Sequence, residues 1–140
     1  MNLKEVGNLP DRLATETIAL IFQKTLIEFG EGKIAKGEFL LIISQLTNRQ
    51  VMTYELLENT IRNKLDLTIL KIWNTNSYEE VDIILSIVVN LGLVKSYRKI
   101  RDTINMNKQI NQIILTEIIE TVEEVGDTIS NPYYSLEKFK

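Results

Sequence analysis

From Tyr78 to Leu91 the chain reads YEEVDIILSIVVNL, and beyond Glu80 its polar residues fall on one narrow line: Glu79, Asp82, Ser86 and Asn90. They recur at i, i+3, i+7 and i+11, the spacing of a single stripe on an α-helix. A helix that is apolar on every other side must be covered by neighbours almost all round. This segment therefore predicts a central strut inside an all-helical protein, with its thin polar stripe as the part that reaches solvent.

The punctuation around it agrees. Ser77-Tyr78-Glu79-Glu80 has the S-x-x-E form of a capping box, in which side chains satisfy the first free N–H groups of a helix. Gly92 follows the last apolar residue, where a left-handed residue ends helices at no steric cost. The same reading along the chain predicts a first helix opening after Pro10, with Ala14, Ile18, Ile21, Phe22 and Phe29 inward and Gly30 as its stop. A second apolar segment runs from Glu38 to Leu46. A third helix is expected over Arg49–Leu65, with Tyr54, Leu57, Ile61 and Leu65 on one side. Asp66 is expected to cap a short fourth helix carrying Leu67, Leu70 and Trp73. The sixth and seventh are expected over Val94–Asn105 and Lys108–Val125, the latter with Ile110, Ile113, Ile114, Ile118, Val122 and Val125 inward. Asn131-Pro132 would open a last short helix holding Leu136 and Phe139. Isoleucine is abundant, which favours strands, but the apolar segments exceed strand length, keep a 3.6 period and lack hairpin dipeptides.

An internal repeat is visible at an offset of 34. Gly92 then falls on Gly126, Leu91 on Val125, Val88 on Val122, Ile84 on Ile118, Ser96 on Ser130 and Ile100 on Tyr134. ETVEEVGD, from Glu120 to Asp127, resembles the end of the first helix of a HEAT-type repeat. The expected fold is all-α: stacked antiparallel helical hairpins in a HEAT- or armadillo-like superhelix of about seven or eight helices. A single hairpin cannot bury its apolar face alone, but a stack can. At 140 residues the chain is expected to form a single domain, 1–140.

Composition narrows the chemistry. With no histidine and no cysteine, triads built on His or Cys, HExxH zinc sites, imidazole-bearing di-iron sites and disulfides are all excluded. No Walker loop or GxGxxG is present, and GEGK at 30–33 reads as a turn. No cofactor, metal or small-molecule substrate is expected, and the chain is read as a non-enzyme. Carboxylates are the remaining candidates. Glu117, Glu120, Glu124 and Asp127 fall at i, i+3, i+7 and i+10, one helical face expected opposite the apolar side. Glu79 and Asp82 lie on the stripe of the central helix. From Gln109 to Glu137 there are six acids and no base, whereas Lys95, Arg98, Lys99, Arg101 and Lys108 oppose a single Asp102 just before. Five cations beside an acidic helix, in a chain of net charge −3, make a poor nucleic-acid surface. No apolar stretch approaches the ~20 residues of a membrane span, and MNLKEVGNLPD lacks the pattern of a secretory leader. A cytoplasmic location is expected.

The stretch from Ile69 to Ile100, with Trp73, then Asn90-Leu91-Gly92, then Ser96-Tyr97, resembles small all-α immunity proteins of bacterial polymorphic-toxin and contact-dependent growth inhibition systems. The resemblance covers mainly residues 69–104. It implies a protein that binds the C-terminal domain of a cognate toxin, often a nuclease with a basic cleft, and occludes its functional surface. Glu117, Glu120, Glu124 and Asp127, with Glu79 and Asp82 second, are the partner-binding residues that follow from charge complementarity. The alternative is a generic HEAT-like adaptor or regulatory scaffold.

Overall fold

A computed structural model describes residues 2–106 and 109–132. Among them there are seven helices and no strand: α1 (Leu3–Gly7), α2 (Thr15–Gly30), α3 (Lys36–Val51), α4 (Asn59–Ile72), α5 (Tyr78–Leu91), α6 (Val94–Thr103) and α7 (Gln112–Val125). The all-α expectation holds. The chain gathers into two compact units, residues 1–65 and 66–140, with the border inside α4.

In the first unit α1 and α2 both pack on α3. Its core is Val6, Ile18, Phe22, Phe39, Ile42, Ile43 and Leu46, closed by Leu57, Ile61 and Leu65. The Phe29 and Phe39 rings stack at 4.1 Å between centroids. α1 was not anticipated, although its signal is present: the Asn2 side chain accepts from the Glu5 N–H at 2.9 Å, and the Glu5 carboxylate accepts from the Asn2 N–H. Pro10 does not open a helix. It lies in the loop before α2, where the buried Arg49 donates to the carbonyls of Leu9 (2.8 Å) and Pro10 (3.0 Å) and so straps that loop to α3. Gly30 is the last residue of α2, and the left-handed position is Gly32.

The helix expected over Arg49–Leu65 is also corrected. Arg49 and Gln50 belong to the end of α3, and the chain turns between Met52 and Glu58. Gln50 Nε2 donates to the Glu55 carbonyl at 2.8 Å and Thr53 Oγ1 donates to the Gln50 carbonyl at 2.6 Å, holding that turn. Tyr54 is consequently in the left-handed region and mostly exposed, not on an inward face. Glu58 starts α4, its carboxylate accepting from the N–H groups of Thr60 and Ile61 at 3.1 Å each.

In the second unit α5, α6 and α7 pack on one another. Val81, Ile84, Leu85, Ile87, Val88 and Leu91 of α5 are buried, while Glu79, Asp82 and Ser86 are exposed, so the strut and its thin stripe are as the sequence predicts. Ser77 caps it, accepting from the Glu80 N–H at 3.4 Å, but the Glu80 carboxylate turns to Asn74 Nδ2 (3.2 Å) and the box is not reciprocal. Gly92 ends α5 at φ 67°, ψ 45°, and Leu93 N–H reaches back to the Val88 carbonyl at 3.0 Å.

Asp66 caps a different helix from the one expected. It lies inside α4, and its carboxylate accepts from the N–H groups of Lys95 (3.0 Å) and Ser96 (2.8 Å) at the start of α6. Ser96 Oγ lies 2.6 Å from Asp66 Oδ1 and 2.9 Å from its carbonyl oxygen, and its one proton goes to either. The N-cap residue of α6, Leu93, has no side chain to offer. Farther along, Lys99 Nζ donates to the Leu70 carbonyl at 3.0 Å and Trp73 Nε1 to Thr103 Oγ1 at 3.2 Å. The pairs 66–96, 70–99 and 73–103 rise together, so α4 and α6 run parallel where they are stitched.

The repeat is shallower than the offset implies. Gly126 ends α7 with positive φ, as Gly92 ends α5, but its ψ is −125° rather than 45°. No helix follows within residues 127–132, and Ser130 is exposed where Ser96 is buried. Tyr134, Leu136 and Phe139 lie outside the described residues. The end of the described chain instead packs over the first turn: a Cβ on Gly92 would sit 2.8 Å from the Ile129 carbonyl oxygen.

A candidate protein-binding surface on the seam of α5 and α7

α7 begins at Gln112, capped by Asn111, whose side chain accepts from the Ile113 N–H at 2.9 Å. Lys108 lies outside the described residues, and Ile110 precedes the helix. Ile114 and Ile118 are the fully buried residues of α7. Ile113, expected inward, is 66% exposed. The reason is helical phase: one residue before Ile114, it is rotated by about 100° from the buried line.

The same geometry separates the four acids expected on this face, the last of which, Asp127, lies past the end of α7. Glu120, Glu124 and Asp127 are exposed, but Glu117 is only partly so. It lies one turn on from Ile114 and beside Ile118, at the border of the buried line, and there it meets α5. Asp82 and the Tyr78 hydroxyl, both from α5, are the nearest groups that act on its carboxyl. The expectation that Glu117 points away from the apolar side is therefore corrected: it faces the strut. Glu79 stays exposed in the first turn of α5. Asp127 lies at the other end of α7, where its charge is felt by Tyr97. The tertiary fold thus joins Asp82, Glu117 and Glu120, leaves Glu79 and Glu124 exposed beside or beyond them, and sets Asp127 apart.

Burial is the first cause that raises the Glu117 carboxyl from its ordinary 4.5 to about 7; Asp82 follows, by hydrogen bond and by charge, then Glu120. The Tyr78 hydroxyl opposes the shift. Tyr78 is itself raised, chiefly by the negative charge of Glu117. Glu117 Oε2 is out of contact with solvent and has no hydrogen-bond donor. Two carboxylates facing each other offer only acceptors, and a proton on Glu117 turns one of them into a donor.

A groove of about 440 Å³, open to solvent, runs along this seam. Tyr78 and Ile113 supply its apolar surface, Glu117 and Glu120 its charge, and Gln112 and Thr116 complete it. Tyr78 is 47% exposed. Neither Tyr78 nor Ile113 was singled out as a binding residue from sequence. The only signal for Tyr78 is an aromatic residue at the first position of a helix, where packing alone would not ask for one. Among the described residues no three His, Cys, Asp or Glu side chains are placed to hold a metal ion, and no helix is long and apolar enough to cross a membrane.

Two of the basic residues of α6 are engaged away from this surface. Lys99 is spent on the Leu70 carbonyl, and Arg101 lies over the Tyr97 ring, 5.9 Å from its centroid. Tyr97 donates its hydroxyl to the Gly126 carbonyl at 2.9 Å, tying α6 to the end of α7. Comparison with protein-family models, with curated proteins and with solved structures gives no match for the chain.

Proposed function

We propose that this chain is an immunity protein. It binds the C-terminal domain of a cognate bacterial toxin, a nuclease with a basic cleft, and blocks that domain by occlusion in the cytoplasm. It carries out no reaction of its own and takes no cofactor. The observation that carries the reading is the gathering of Asp82, Glu117 and Glu120 around the exposed Tyr78 and Ile113. An acidic rim around an apolar centre is the make-up of a protein-binding patch: the centre supplies affinity, and the rim selects and steers a basic partner. The resemblance of residues 69–104 to immunity proteins names the partner class.

The test is co-expression with the product of the adjacent open reading frame. Growth should be rescued by the natural chain. Charge reversal at the exposed acids Glu79, Glu120 and Glu124 together should weaken rescue, and circular dichroism should show the variant folded. A folded variant that rescues as well as the natural chain removes the assigned surface. A neighbour that is harmless to cells removes the toxin reading and leaves the adaptor.

A further inference from the structure

The seam combines features that a purely electrostatic surface does not need. Its acids are not spread on a solvated face. Glu117 and Asp82 are held against each other across two helices, with Glu117 Oε2 buried and lacking a donor. Beside them Ile113 and Tyr78 leave large apolar surfaces in solvent, although the neighbouring Ile114 and Val81 are packed. A bare metal ion would use the carboxyl oxygens and gain nothing from the apolar walls. A wholly apolar segment would bury Glu117 and Glu120 without partners, and burying an uncompensated charge is strongly unfavourable.

An arginine side chain satisfies both halves. Its guanidinium carries five N–H donors in a planar fork that can serve two carboxylates at once. Its three-carbon stem is apolar and packs on aliphatic and aromatic surface, and the cation is attracted to an aromatic face. We infer that the groove between Tyr78 and Ile113 is the seat of one arginine side chain from a protein partner, its guanidinium against Glu117 and Glu120 and its stem between the apolar walls. This rests on the reading above that the partner is a basic protein, and it names the residue by which that partner is anchored.

The groups that face Glu117 are Tyr78 and Asp82 from α5 and Glu120 from its own helix. Tyr97 and Arg101 of α6 are engaged with each other, Tyr97 also with the far end of α7. No cation is among the described groups that act on Glu117. The proton that Glu117 keeps to about neutral pH stands in for one, and a docked guanidinium replaces it. Docking therefore releases a proton below that pH and is tighter above it.

The probe is the peptide acetyl-Leu-Arg-Leu-amide added to the whole protein, with the isosteric but neutral citrulline peptide as its control. Glu117 is followed by carboxyl-carbon NMR and the groove by the Ile113 and Thr116 methyl signals. Saturation with the arginine peptide should lower the Glu117 midpoint by about one pH unit or more, as an opposite charge at contact does, and move both methyl signals. The citrulline peptide should do neither. Ile113→Ala and Glu117→Gln should each weaken the arginine peptide severalfold, and Glu16→Gln, on α2 in the other unit, should not. Because Ile113 is exposed, its variant keeps the test alive if Glu117→Gln misfolds. Equal effects of the two peptides, or none from either, would overturn the proposal, as would Mg²⁺ moving the same signals when the peptide does not. Binding of the arginine peptide without rescue of growth leaves the seat standing and removes the toxin reading alone.

Discussion

A proton on Glu117 belongs to the folded chain more than to the unfolded one. In the folded protein the carboxyl holds it to about pH 7, and in the unfolded chain it is released near the ordinary 4.5. Between those values the folded state binds more protons, so stability falls as pH rises through that window. The melting temperature should decline from about pH 5 to pH 8, and Glu117→Gln should remove most of that decline. A flat profile in the natural chain would mean that Glu117 is solvated and the seam open. Glu58 acts with the opposite sign. Two backbone N–H groups lower its carboxyl below the ordinary range, so its contribution is present at neutral pH and is lost on acidification. At this scale the acids were visible in the sequence, but their environments were not. Glu117 and Glu124 occupy nearly the same face of one helix and differ only in what lies opposite.

At the scale of elements, the connections that matter are made by residues distant in sequence. Asp66 serves the N-terminus of α6 from 30 positions away. Asp66→Ala leaves the N–H groups of Lys95 and Ser96, the second of them buried, without their side-chain acceptor, while Ser96 Oγ keeps the Asp66 carbonyl, and should cost about 1–3 kcal/mol in urea unfolding. Asp66→Asn, which keeps one oxygen, should cost less than half of that. Equal losses from the two substitutions would show that charge, not hydrogen bonding, secures α6. The glycines divide in a similar way. Gly32 and Gly92 both have positive φ, but Gly32 has open space around it whereas Gly92 lies under the Ile129 carbonyl. Gly32→Ala should cost about 1 kcal/mol, the left-handed penalty alone. Gly92→Ala should cost at least about 1 kcal/mol more, because a backbone oxygen must also move. Caps and stops were legible where they act locally: Ser77 and Gly92 were found, and Asn2 with Glu5 could have been. Asp66 has the residue type of a cap and gave the correct chemistry at the wrong helix. Arg49 gave no local sign that it would strap the Leu9–Pro10 loop.

Over the whole molecule, a net charge of −3 hides a polarised distribution. Among the described residues the stretch 109–132 holds five acids and no base, and two cations of α6, Lys99 and Arg101, have partners of their own. Association with a basic partner domain should therefore be steered by charge. Its rate constant should fall on the order of tenfold between low and high salt, while dissociation changes much less. Stopped-flow mixing across a salt series measures this directly, and a salt-independent association rate would contradict a role for the acidic seam in encounter.

What the sequence alone determined is the class of fold and its main strut. Apolar periodicity is a property of each helix by itself, and a fourteen-residue segment polar along one line can only be a helix buried on its other sides. Local caps and the exclusion of histidine and cysteine chemistry are likewise written in residue order. Only the tertiary structure decided that α7 turns Glu117 toward Asp82 and leaves Ile113 in solvent, that Asp66 serves α6, and that the segment 129–132 covers Gly92. Those outcomes depend on the rotation and register of one helix against another. Burial, charge and hydrogen bonding across distant residues settle that register together, and no single helix carries it in its own sequence.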